Sequence, residues 1–427
     1  MRTYVTFLLL FMSAFIISCQ FGEESKEEQK ELTWYTTTGY SPQSNTPAAA
    51  EYISSQVDEF ENDYPNINLK TEIQSTNIPE AMAKLLEQAN QGNPPDVAAI
   101  DSYLFPQYID YLEPLDDLIR AEGLEVDDFL SFAQDVVTGP DGKVYGLYMT
   151  TDTRVLFYNK ELVPEPPQTW DEIIRTGKEL KEKGYDGISV PGGRGEGTSV
   201  TTLWPLFWGK GGKLVDDEGM PVFGEGENRQ IMIEVLETIK KAVDEGVLPK
   251  RVAGYGTEND QNEEIATGDI AMFIGGNWQE ANLKDTLSSE EFNKWDVAPV
   301  PQLDGGERTT SAGGWLWAIF TDDPDKKEAA FDLVYRTFIS EEGMGEFSSV
   351  YGGLPARSSV YDSEHYEGTR FSDDYRDMLD DHARVRPGSE YYSKISDQMQ
   401  IAISDVISGN KDPSEAVDDA WDAVSVD

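Results

Sequence analysis

The side chains in this sequence that could act on another molecule are carboxylates, arginines and aromatic rings, because the usual covalent players are nearly absent. Of 427 residues, two are His (His365 and His382) and one is Cys (Cys19). A single cysteine excludes an intrachain disulfide framework and a cysteine-rich metal site. The histidines lie late in polar stretches without ligand spacing, and no nucleophile motif stands behind a Ser-His-Asp set. Gly209-Lys210-Gly211-Gly212-Lys213 lacks the Gly-Lys-Ser/Thr ending of a phosphate loop. Asp322-Asp323-Pro324-Asp325 reads as a helix start, with Asp323 as cap and Pro324 in the first turn, rather than as a metal site. No catalytic residue, metal or cofactor is expected.

Several places put recognition groups next to permissive backbone. Asp101, Ser102 and Tyr103 follow the apolar run 96–100 (DVAAI). Ligands collect outside the carboxyl ends of strands in open α/β sheets, so this loop suits a contact; the same residues also suit a helix cap. Asp152 and Arg154 stand two apart in TDTR and either face a ligand or satisfy each other. Gly275-Gly276 let backbone approach closely before Asn277 and Trp278, although a core tryptophan would fit too. Trp315 follows Gly313-Gly314 in the same manner, and its i+2 neighbour Trp317 reads as core. Trp204 and Trp208 share one helical face after the glycine-rich stretch 192–197, a spacing that also marks core packing.

The elements that must position these groups alternate. A strand is expected at 32–36, a helix at 47–64 with Ile53, Val57 and Phe60 on one face, and a strand at 67–73. A helix opening at Pro79 and stopping at Gly92 leads into the 96–100 strand. Strand, helix, strand, helix, strand implies an open α/β sheet. A long extended segment, 145–159, could pass from one lobe to another. The 34 basic and 80 acidic residues give a net charge of −46, which repels phosphate backbones and excludes a nucleic-acid partner.

At the start, 14 uncharged residues (4–17) are too short for a comfortable membrane span and fit a secretory signal. The ending Ile16-Ile17-Ser18-Cys19 resembles a bacterial lipobox, with Ile16 where Leu is usual. Residues 1–18 are thus expected to be a lipoprotein signal peptide and Cys19 the lipidated residue. Residues 19–31 read as an acidic tether reaching at most about 40 Å. The protein would be exported and held at the outer face of a bacterial membrane.

Five blocks in order resemble the family 1 extracellular solute-binding proteins of ABC importers, the maltose- and oligosaccharide-binding type. They are GKVYGLYMTTDTRVLFYNKEL with PPQTWDEI, IATGDIAMFIGGNW, WDVAPVPQ with TTSAGGWLWAIF, GGLPARSSVY, and RPGSEYYSKISDQMQ. The resemblance implies a two-lobed α/β fold of the type II-like periplasmic-binding-protein kind, with a ligand cleft between the lobes. It implies three interlobe crossings, near 147–151, near Pro299 and near 340–343. The N-lobe would hold 32–148 and 300–340, and the C-lobe 151–298 and 343–427. It implies ligand contacts at Asp152, Arg154, Asp101, Tyr103, Asn277, Trp278, Gly314, Trp315, Trp204, Tyr392 and Thr37, with Trp34 as a further rim contact. The expected partners are a sugar and the permease of an ABC importer, with the receptor itself monomeric. Two other readings stay open: the same fold taking a cationic solute such as a polyamine, and a surface glycosidase.

Overall fold

Residues 29–425 are described by the structure, a computed structural model. The expected signal peptide, Cys19 and the first part of the tether lie outside the described residues. Among the described residues no helix is long and apolar enough to cross a membrane.

The described strands are β1 (Lys30–Thr36), β2 (Ile67–Ile73), β3 (Val97–Asp101), β4 (Gly146–Asp152), β5 (Arg154–Asn159), β6 (Met272–Gly276), β7 (Trp295–Ala298), β8 (Thr310–Ile319), β9 (Leu354–Pro355) and β10 (Ala383–Val385). They form two sheets. The larger runs β2-β1-β3-β8-β4-β9 with β10 beside β8, and the smaller runs β6-β5-β7. The opening strand–helix alternation folds as its spacing requires. β1 lies parallel to β2 and β3, and the helices Pro47–Asp63 and Ile78–Asn90 join them. Each helix buries one face, Ile53 and Phe60 in the first, Met82 and Leu85 in the second. The side chain of Asn77 caps the second helix by accepting from the Glu80 amide at 3.2 Å.

β8 is the element that organises the larger sheet. It runs antiparallel to β3 on one side and β4 on the other, setting Asp101 opposite Trp315, Thr151 opposite Gly314 and Asp152 opposite Gly313. Three sequence-distant stretches thereby deliver their chemistry to one end of one sheet.

The extended segment 145–159 is two strands in two different sheets. β4 ends at Asp152, β5 begins at Arg154, and the fully buried Thr153 between them carries the passage. Strand alternation then splits β5. Val155 and Phe157 join the hydrophobic cluster of the larger sheet, and Leu156 and Tyr158 join the second cluster, around Trp170, Phe207 and Leu236.

The other passages correct the sequence expectation. Val300 and Leu303 still pack in the second cluster, so the chain returns to the larger sheet between Leu303 and Thr310 rather than near Pro299. The last passage is not at 340–343. Met344 and Phe347 belong to the first cluster, where Phe347 lies 4.9 Å from Phe338 and 5.9 Å from Tyr40 between ring centres. β10 pairs with β8, and the chain enters the second cluster only at Tyr392. Met344 and Phe347 therefore pack with the larger sheet, whereas Thr369, Arg370 and Phe371 are held by Glu280 and Phe292 beside the smaller one. Apolar spacing along a helix tells which face is buried but not against which sheet.

Candidate ligand-binding cleft

A cavity of 460 Å³ opens where the two sheets meet. Its walls hold seven of the expected residues: Asp101, Asp152, Arg154, Asn277, Trp278, Gly314 and Trp315. Trp315 and Asp101 come from the larger sheet, Arg154 and Trp278 from the smaller one or its margin.

Two charged groups of similar build face the cavity. In the first, the Arg154 guanidinium pairs with Asp152 and lies 3.4 Å from Glu258, with Trp278 5.0 Å below it. Glu258 also accepts from the Thr201 hydroxyl at 2.6 Å. In the second, Arg386 pairs with Asp101 at 3.0 Å and Glu196 at 3.5 Å, and lies 3.9 Å over the ring of Tyr103. Both arginine side chains are only 10% exposed. Each is thus held in one rotamer by two carboxylates and an aromatic plate, with further N–H groups of its five to offer. The two groups meet over Gly313. A Cβ there would stand 3.2 Å from an Arg386 nitrogen and 3.3 Å from an Asp152 oxygen, so only glycine leaves both unhindered.

Burial pushes the Asp101 carboxyl up to about 6, against the pull of Arg386, and Asp152 adds to the rise. Arg386 is held more firmly protonated by Asp101 and its neighbours, against the burial that works the other way.

Aromatic rings complete the cavity lining. Trp315 meets Tyr40 at 5.8 Å edge-on, and Tyr40 meets Tyr351 at 5.3 Å. Trp278 and Trp315 are both partly exposed, with ring area left for a ligand. Asn277 lines the cavity but is also a clasp. Its side-chain oxygen accepts from the Thr153 amide at 3.2 Å and its own amide donates to the Thr153 carbonyl at 3.0 Å, which fixes the first passage.

Four expected contacts lie elsewhere. Trp204 is fully buried, and its indole N–H donates to the Tyr392 hydroxyl at 2.9 Å. Tyr392, also buried, donates in turn to Glu196. Tyr103 is a plate under Arg386 rather than part of the wall. Trp204 and Tyr392 spend their polar tips on each other and on Glu196, and Tyr103 lends Arg386 its ring, so all three support the cleft through Arg386 and Glu196. Thr37 begins a short turn after β1 and is outside the cavity wall. Trp34 is fully buried, 5.8 Å from Trp317, whose own burial agrees with its reading as core.

Sequence reasoning passed over Arg386, Glu196, Glu258, Tyr40 and Tyr351. Glu196 sits inside the glycine-rich stretch and Arg386 opens the RPGSEYY block, so the small-residue loop and the family block were the available signals. Glu258, Tyr40 and Tyr351 carry none, because only tertiary contacts bring them to the wall.

Two sheets joined by passages of chain, with a cavity at their junction, define a two-lobed binding-protein fold. The chain belongs to the bacterial extracellular solute-binding protein family, which it matches over residues 55–372. It is 22% identical over 413 residues to the maltooligosaccharide ABC transporter solute-binding lipoprotein of Streptococcus pneumoniae, covering 93% of this chain and 89% of that one. Its fold is similar to a receptor of Streptomyces glaucescens solved unliganded and with acarbose, at TM-score 0.73 and 23% identity, covering 93% and 98% of the two chains. A maltose-bound protein from T. maritima is similar at TM-score 0.74 and 22% identity, covering 92% and 98%.

Proposed function

We propose that this protein is an exported receptor for a sugar or oligosaccharide, delivering it to the permease of an ABC importer and doing no covalent chemistry. The observation that carries the reading is the composition of the cleft: partly exposed indole rings from both sides, and two arginine–carboxylate groups between them. A sugar presents C–H faces, which rings cover, and a rim of hydroxyls, which carboxylates and guanidinium groups satisfy in pairs. The ligands named for its relatives are of the same class. The lobes would close about Thr153 and the 303–310 link. A ligand that touches both sides only in the closed form would shift that equilibrium. Cys19 would carry the lipid anchor.

Thermal unfolding of the purified protein against mono- and oligosaccharides, polyamines and amino acids tests this. A ligand at 100 times its Kd stabilises by about 2.7 kcal/mol. A shift with one sugar class supports the receptor reading. A cationic solute is the second reading, because four carboxylates (Asp101, Asp152, Glu196, Glu258) face the cleft against two arginines; a shift with polyamines alone would favour it. Turnover of a chromogenic glycoside would instead point to a hydrolase, which needs two carboxylates roughly 5–10 Å apart about one bond.

A further inference from the structure

Outside the cleft, an imidazole meets two carboxylates. Glu342 and Glu346 lie one turn apart on the helix Glu341–Tyr351, and His365 reaches them from a later loop. One ligand atom from each of the three lies within 4.8 Å of the others, and His365 Nδ1 is 4.0 Å from Glu346 Oε1. Two carboxylates at this helical spacing repel each other. Among the described residues neither has a Lys or Arg within ion-pair distance, and His365 is the basic group that faces them. Local spacing hides this set, because the histidine comes from a different element.

The backbone holds the imidazole in place. A Cβ on Gly345, between the two carboxylates, would stand 2.9 Å from His365, so glycine is what lets the loop lie on the helix at this turn. To one side the Ser363 hydroxyl donates to the Glu341 carboxylate at 2.8 Å. To the other the Glu367 amide donates to the Ser349 hydroxyl at 2.7 Å, and that hydroxyl donates to the Gly345 carbonyl at 2.7 Å. Glu341 and Ser349 thus fasten the loop, and Glu342 and Glu346 are left facing His365. Glu342 is exposed, and Glu346 and His365 are half-buried, so an ion from solvent reaches all three.

We propose that Glu342, Glu346 and His365 bind one divalent transition-metal ion of the Zn²⁺ class, with water completing its coordination. The proposal is independent of what the cleft binds. Ligand atoms about 2.0–2.2 Å from a tetrahedral Zn²⁺ stand roughly 3.3–3.5 Å from one another, so small side-chain rotations close the set. An imidazole nitrogen suits Zn²⁺, Co²⁺ or Ni²⁺, whereas Ca²⁺ and Mg²⁺ take oxygen ligands. The ion replaces the repulsion between the two carboxylates with a bridge. It also pins the 363–367 loop to the helix whose last residue, Tyr351, lines the cleft.

Calorimetric titration of Zn²⁺ into the metal-stripped protein, purified without a polyhistidine tag, tests it. The proteins compared are the native chain, His365→Ala, Glu346→Gln and His382→Ala. The chain has two histidines, so His382→Ala is the control for imidazole binding elsewhere. The expected result is one equivalent of Zn²⁺ bound, at least 10-fold more tightly than by His365→Ala or Glu346→Gln, and unchanged in His382→Ala. Zn²⁺ should also raise the thermal midpoint of the native protein and not that of His365→Ala. Co²⁺ in its place should give visible d–d absorption that His365→Ala lacks. Zn²⁺ binding that is equal in the native protein and His365→Ala is diffuse association with the acidic surface and overturns the site, as does no binding at all. Ca²⁺ binding as tightly as Zn²⁺ overturns it too, since imidazole ligation would then add nothing. None of the substituted side chains is fully buried, and circular dichroism matched to the native protein shows that each variant is folded.

Discussion

At the residue scale the cleft is a balance of burial against pairing. Arg386 is the counterion of two carboxylates, one of them, Asp101, with an 11% exposed side chain. Removing one partner of a buried pair costs about 3–5 kcal/mol, because the other charge is left in a poor solvent. Arg386→Ala should therefore lower stability by about 3 kcal/mol in urea unfolding at pH 7, with a smaller loss near pH 5, where Asp101 can take up a proton. The native protein carries a related signal. The Asp101 pKa of about 6 is raised above the ordinary 3.8, so the folded state holds this proton more tightly than the unfolded one. Its contribution to stability is full below about pH 4 and is lost as pH rises through about 6. The unfolding midpoint of Asp101→Asn relative to the native protein should thus climb between pH 4.5 and pH 7; a difference independent of pH would remove Asp101 as the titrating group. Trp278 stacks on Arg154 and keeps a free face. Trp278→Ala should weaken a bound sugar by about 2 kcal/mol, roughly 30-fold in Kd by calorimetry, while leaving the fold intact.

At the element scale β8 matters most, because it joins β3 to β4 and turns Trp315 into the cleft. The register along β4 shifts between Tyr148 and Thr150, opposite Leu316 and Trp315. Gly314 lies at this irregularity with φ of 139°, and a Cβ on it would come within 2.0 Å of the Thr150 carbonyl oxygen. An L side chain both strains that backbone and displaces β4. Gly314→Ala should cost more than about 1 kcal/mol in denaturant unfolding and also weaken ligand binding, since Asp152 and Trp315 are its neighbours in the register. A neutral Gly314→Ala would show that β4 yields without loss and that the close approach is not needed. The passages were the least legible elements. Thr153 is one residue inside an unbroken extended run (GLYMTTDTRVLFYN), and nothing in strand propensity marks where one sheet ends and the next begins. The change of partner is made by Asn277, which clasps Thr153 from 124 residues away.

At the scale of the whole molecule the net charge of −46 is spread over a surface with many small ion pairs. Exposed pairs contribute about 0–1 kcal/mol each, so mutual repulsion dominates at low salt. Screening shortens from about 30 Å at 0.01 M to about 3 Å at 1 M salt, and the thermal midpoint should rise across that range. A flat response would mean that the ion pairs already offset the repulsion.

The sequence by itself determined the α/β class, the first strands and helices and the core role of Trp317, because apolar periodicity and caps are local. It also picked out Asp152 beside the first passage and the glycine-flanked Trp278 and Trp315, since such local patterns are visible without neighbours. Only the tertiary structure decided that Trp204, Tyr392 and Tyr103 support rather than line the cleft. It alone placed Met344 and Phe347 against Phe338 and Tyr40 and added Arg386, Glu196 and Glu258 to the cleft. Those outcomes depend on which face of an element meets which sheet. That choice is made by packing and charge pairing between residues one to three hundred apart, which no local pattern records.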